Sequence, residues 1–242
     1  MPDITRRTLI GGMGAAAAGA LASAPAAGAT SAAAAAPAAK GTNLTADQAL
    51  ALLKEGNRRF IADRPGSGPM SRRRRLEIAK GQQPFAVLVS CSDSRVGPEQ
   101  LFGRGLGELF IVRNAGNTVA STQAMGSVEY AVAELGVPLV VVLGHTRCGA
   151  VAAAASVVQQ NSIYPGSIGR MVEPIVPAVL AARGRPGDLV DNAVRENVRR
   201  VVRDMRTSVE PMLLDPQRAG RLKVVGAYYS LDTGVVDFFD EG

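Results

Sequence analysis

The chain has 242 residues, 47% of them apolar and only 4% aromatic, with no tryptophan. This suits one α/β domain with a finely packed aliphatic core, and outside the N-terminal region nothing has the composition of disorder. The formal charge of +6 invites a nucleic-acid reading, but beyond residue 40 the balance is 24 basic against 20 acidic residues, a net +4.

Thr5-Arg6-Arg7-Thr8-Leu9-Ile10 precedes a weakly hydrophobic Gly/Ala stretch from Gly11 to Ala24. Such a pair of arginines resembles the twin-arginine export signals that move folded proteins across bacterial membranes. The apolar run falls short of the ~20 strongly apolar residues a span requires, so no stable membrane helix is expected after processing. The leader holds no cysteine to carry a lipid. Ala27-Gly28-Ala29 is one cleavage candidate, and residues 30–41 read as a flexible spacer. Residues 1–41 are therefore expected to be export signal and spacer, and 42–242 one domain acting in the periplasm or outside the cell.

From Thr45, the spacing of Ala49, Leu50, Leu53 and Phe60 predicts an amphipathic helix capped by Thr45 or Asn43. After a turn-rich break at 63–69, Ser71 opens a second helix carrying Arg72, Arg73, Arg74 and Arg75. A helix rotates successive residues around its axis, so these charges are scattered and solvated rather than arrayed for nucleic acid. Phe85 to Val89 reads as a buried strand, Glu108 to Val112 as a second, and Ser121 to Leu135 as an Ala-rich helix capped by Ser121 or Thr122. Gly136-Val137-Pro138 ends that helix and starts a third strand, Val137 to Leu143. Gly144 is expected to turn the backbone, and Cys148 to begin another helix. Pro165, Pro174 and Pro177 imply short or irregular helical pieces. Val194, Val198, Val201, Met205 and Val209 form a helical stripe. Lys223 to Leu231 and Val235 to Phe239 read as strands around an Asp232-Thr233-Gly234 turn. Alternating strands and helices predict a mainly parallel sheet with helices on both faces and a ligand crevice at its edge.

Both cysteines and the only histidine lie in two short stretches, Cys91-Ser92-Asp93-Ser94-Arg95 and His145-Thr146-Arg147-Cys148. Each follows an apolar strand, so both sit at carboxyl ends, where open parallel sheets bind ligands. Any one of the three residues alone reads as an inert core side chain. Together they supply three donors that zinc prefers, and the chain has no fourth Cys or His to close the shell. The fourth position then falls to Asp93, to water, or to each in turn. Asp93 and Arg95 stand two apart on an extended segment and can form a charge-assisted pair. Ser92 and Ser94 are expected to bond backbone within the loop.

Cys-Ser-Asp-Ser-Arg, a long gap and His-Thr-Arg-Cys-Gly resemble the zinc motifs of the beta-class carbonic anhydrases. The likeness runs over roughly residues 44–240 and takes in Gly56 to Phe60, Gly81 to Pro84 and Gly107 to Asn117. It implies one zinc per chain and reversible hydration of carbon dioxide to bicarbonate by attack of zinc-bound hydroxide. It further implies that Asp93 orients the nucleophile while Arg95 holds Asp93. Gln82 matches a glutamine that bonds substrate oxygen, and Phe110 and Tyr130 match aromatics lining the pocket across a dimer interface. The first helix would pack on that second subunit, giving a homodimer or a multiple of one. Gln82, Phe110, Tyr130 and the missing tryptophan match the subgroup whose metal keeps an open position, so Asp93 is expected to stay with Arg95. Hydrolysis of carbonyl sulfide or carbon disulfide on the same site is a rival, as is a zinc-binding role without catalysis.

Overall fold

The computed structural model describes residues 41–241, so the expected export segment lies outside the described residues except for Gly41. In chain order the elements are α1 (Ala46–Ile61), α2 (Arg72–Ile78), β1 (Ala86–Cys91), α3 (Pro98–Leu101), β2 (Leu109–Asn114), α4 (Thr122–Ala133) and β3 (Leu139–His145). There follow α5 (Gly149–Gln160), α6 (Gly166–Val172), α7 (Val176–Ala182), α8 (Leu189–Arg206), α9 (Pro211–Arg218), β4 (Lys223–Tyr229) and β5 (Val236–Asp240). No helix among the described residues is long and apolar enough to cross a membrane.

Strands lie in the order β2-β1-β3-β4-β5. Contacts from β2 through β4 are parallel, and β5 closes the sheet antiparallel to β4. The β1 and β3 strands are buried at every residue, as their unbroken apolar runs predict. Successive side chains point to opposite faces. Val87, Val89, Val140 and Val142 pack against α4, α8 and α9, whereas Leu88, Leu139, Val141 and Leu143 pack against α1. The chain leaves β1 toward one edge and β3 toward the other, so the crevice opens between these two inner strands, the switch point of this strand order, and not at an outer edge.

Local signals explain most boundaries. Thr45 makes a full capping box with Gln48 at the start of α1. Ser71 caps α2 and Ser121 caps α4. Asn57 of α1 donates to the Gly234 carbonyl and accepts from the Val236 N–H, fixing the β4–β5 turn. In α2, Arg72, Arg73 and Arg75 are exposed. Arg74 is half-buried and bonded to Glu77 and the Leu106 carbonyl.

Two expectations are corrected. The α8 stripe stops before Val209, which is 81% exposed beyond the helix end. Glu210 precedes Pro211 and is held extended (ψ 122°), so α8 cannot continue into α9. Gly144 lies inside β3 rather than in a turn. A Cβ there would stand 2.7 Å from Val194 Cγ1 and 2.8 Å from Val198 Cγ2. Close approach of α8 is what requires glycine.

Candidate metal centre

Cys91 is the last residue of β1 and His145 the last of β3. Cys148 is the N-cap of α5, reached through a tight turn in which Arg147 takes a positive φ of 52°. Neighbouring strand ends and one helix start thus bring the three side chains together, all buried, with donor atoms within 4.8 Å of one another. Two thiolates at ~2.3 Å from a tetrahedral zinc stand about 3.8 Å apart. The Sγ atoms of Cys91 and Cys148 are 3.9 Å apart.

The histidine fits the same ion. Its Nδ1 lies 2.9 Å from the Thr146 carbonyl, which takes the ring proton and leaves Nε2 as the lone-pair donor. Nε2 is fully buried and has no hydrogen-bond partner, a costly state for a polar atom unless a metal completes it. The loop is anchored from outside: Thr146 donates from its N–H to Tyr229 O, and its Oγ1 accepts from Leu231 N. Arg147 grips Asp232 with two bonds of 2.9 Å.

The two sulfurs lie within hydrogen-bond reach of each other, so the ionisation of one thiol affects that of the other. Cys91 is pushed down, first because it accepts from Cys148 and then, against the opposing effect of burial, through the N–H groups of Gly116 and Asp93. Cys148 is pushed up by donating to Cys91 and by burial, while the N–H groups of Val151 and Ala150 at the start of α5 work the other way. A metal replaces both protons.

Asp93 lies beside this cluster and not within it. Arg95 donates from Nε to Oδ1 at 2.9 Å and from Nη2 to Oδ2 at 2.7 Å, and its backbone N–H donates to Oδ1 at 2.9 Å. This grip holds the Asp93 carboxyl far below the usual carboxylate range. Its Oδ2 is 4.0 Å from His145 Nε2, close to where a fourth ligand would come. Ser92 and Ser94 are exposed and their hydroxyls make no hydrogen bond to backbone among the described residues, contrary to expectation. The loop is held instead by Arg113, whose guanidinium donates to the carbonyls of Cys91 and Asp93. Only the polar end of an apolar strand, Arg113-Asn114, signals such a role in the sequence.

The other expected site residues do not join this cluster within one chain. Gln82 is exposed ahead of the amino end of β1, opposite to Cys91. Phe110 pairs in register with Val87, four residues back from Asn114, which pairs with Cys91. That is about 13 Å along the strand. Its ring lies 6.3 Å from that of Tyr130, which is half exposed.

Comparison with known proteins agrees with this geometry. A family model described as carbonic anhydrase matches residues 86–236. Carbonic anhydrase 2 of Mycobacterium tuberculosis is 41% identical over 182 residues, covering 75% of this chain and 87% of that protein. The carbonic anhydrase of Mycolicibacterium smegmatis is 37% identical over 185 residues, covering 76% and 89%. Among solved structures, the beta-carbonic anhydrase CcaA superposes with a TM-score of 0.61 at 26% identity, over 71% of this chain and 83% of that one. Tetrameric beta-carbonic anhydrases from Sordaria macrospora give a TM-score of 0.61 at 25% identity, over 68% and 84%. A switch-point cluster of two thiols and one imidazole whose Nε2 is unpartnered, with these relatives, makes the chain a member of the beta-class carbonic anhydrase family.

Proposed function

We propose that this chain catalyses the reversible hydration of carbon dioxide to bicarbonate and a proton, with one zinc held by Cys91, His145 and Cys148. The observation that carries it is the buried donor set with a sulfur separation of 3.9 Å and an orphaned His145 Nε2. When bound, zinc supplies a Lewis acid that brings the ionisation of a water toward neutral pH. The Thr146 carbonyl keeps His145 in the donor tautomer. Asp93, kept ionised by Arg95, accepts a hydrogen bond from the attacking water and aims its remaining lone pair at carbon. Two thiolates place more negative charge at the centre than imidazoles would, so the water should be less acidic than at a three-histidine site.

The test compares hydration of carbon dioxide with hydrolysis of carbonyl sulfide and carbon disulfide, with and without a chelator. Chelator-sensitive turnover of carbon dioxide supports the reading. Turnover of the sulfur compounds alone would favour the rival hydrolase, and zinc binding without turnover a non-catalytic role.

The finer assignments belong to the same proposal. Gln82, Phe110 and Tyr130 serve the site of a second copy: Gln82 lies ahead of the amino end of β1, Phe110 stands about 13 Å along the strand from the level of Cys91, and the ring of Tyr130, on α4, lies beside that of Phe110. A homodimer or a multiple of it follows, with residues 42–242 as the catalytic domain. The Arg6-Arg7 pair supports export of the folded enzyme to the periplasm or beyond, after zinc has entered where thiols stay reduced. Arg6→Lys with Arg7→Lys should leave active precursor in the cytoplasm; normal export of that variant would end this part of the reading.

A further inference from the structure

The loop that carries both a metal donor and the proposed orienting carboxylate is fastened by a residue of the neighbouring strand. Arg113 donates from Nε to the Cys91 carbonyl at 2.9 Å and from Nη2 to the Asp93 carbonyl at 2.8 Å. These two carbonyls flank Ser92, so one planar fork fixes the path of the chain between the donor and the carboxylate. The Ser92 N–H adds a bond of 3.1 Å to the Asn114 carbonyl. Arg113 forms no ion pair with any carboxylate among the described residues, so its hydrogen bonds go to these loop carbonyls. Both serine hydroxyls of the loop are exposed and give its backbone no support.

The position of that backbone decides where the Asp93 carboxylate lies. Its Oδ2 is bonded to Arg95 at 2.7 Å and stands 4.0 Å from His145 Nε2. A small rotation of the loop would exchange the first contact for ligation at the open metal position, because carboxylate oxygen is itself a zinc ligand. Arg95 alone is a weak check on this, since it belongs to the same loop and, among the described residues, its one bond outside that loop is a long one of 3.5 Å from Nη2 to the Arg147 carbonyl. Arg113 belongs to β2, which is anchored in register to β1.

We propose that Arg113 is a positioning residue: by clamping the Cys91 and Asp93 carbonyls from β2, it keeps Asp93 in the grip of Arg95 and out of the fourth metal position. This rests on reading Cys91, His145 and Cys148 as the metal site. It assigns to Arg113 no contact with substrate.

The test uses cobalt in place of zinc, because the visible spectrum of cobalt reports its ligands, and thiocyanate as a probe for the open position. Arg113→Met should still bind one cobalt per chain. Its spectrum should change before any anion is added, and thiocyanate should be needed at higher concentration, because Asp93 now competes for the metal. Loss of this kind of supporting contact lowers kcat about 10–100-fold, with KM little altered. In an Asp93→Asn background the same substitution should leave the thiocyanate response unchanged, since there is no carboxylate to swing. Arg113→Lys, which keeps the cation but can reach one carbonyl, should be intermediate, and serves if Arg113→Met does not fold. A wild-type thiocyanate response in either folded variant would overturn the proposal, as would an equal effect with and without the Asp93 carboxylate. If the parent chain takes up no cobalt, the metal-site reading itself fails; if it does and only the Arg113 effects are missing, the positioning role alone fails.

Discussion

Replacing Gly144 with alanine places a methyl group 2.7 Å from Val194 Cγ1 and 2.8 Å from Val198 Cγ2. Non-bonded carbons settle at about 3.5–4.0 Å, so each valine must retreat by roughly 1 Å. Neither can do so by itself: both are buried on α8, and a valine in a helix has essentially one rotamer. The helix must therefore shift against β3. Overpacking of this kind costs about 1–3 kcal/mol, which for a domain of this size lowers Tm by roughly 2–12 °C. The effect on metal should be smaller, because His145 points to the opposite face of the strand from the added methyl group. Thermal unfolding of the zinc-loaded protein by circular dichroism measures the loss, and Val198→Ala in the same chain should recover part of it. An unchanged Tm would refute the packing argument. Zinc loss at unchanged Tm would instead restore the role in turning the backbone that the sequence alone suggests.

Asp93→Asn should retain one zinc per chain and lose most of kcat, because the donor set stays intact while the orienting carboxylate goes; unchanged turnover would reduce Asp93 to a structural role. Burial, and after it the Asp191 carboxylate, holds the Tyr228 phenol well above the usual tyrosine range. A raised folded value favours the protonated, folded state: this stabilisation is complete below about pH 10, the unfolded value, and is lost as pH rises through the folded one. Tyrosinate absorbance should therefore show Tyr228 ionising only with alkaline unfolding, and Tyr228→Phe should not alter the number of tyrosines titrating before it. One fewer would contradict the assignment.

The site was readable because zinc's donors are scarce in this chain. Two cysteines and one histidine, each just after an apolar run, leave little else for them to do. The buried strands were equally plain, since continuous runs such as Leu139 to Leu143 need no periodicity to be recognised. Short elements escaped: α3 has four residues, and α9 starts at Pro211 and contains Pro216, so neither offers a stripe. The place of Gly144 depends on how closely α8 approaches β3, a tertiary distance that sequence spacing does not carry. Arg113 was hidden for a related reason, because its partners are backbone carbonyls at the end of another strand and in the loop after it, and carbonyls leave no mark in the sequence. Gln82, Phe110 and Tyr130 belong to a question about a second subunit, and residue patterns within one chain give only their resemblance.

The most direct test of the account is to strip the protein with a chelator and titrate zinc back while following carbon dioxide hydration, in the parent chain and in Cys148→Ser. In the parent, activity should rise linearly and break at one zinc per chain, and the variant, with one of three donors removed, should neither hold the ion nor recover. Activity that persists without metal, or full zinc retention and turnover in Cys148→Ser, would contradict it.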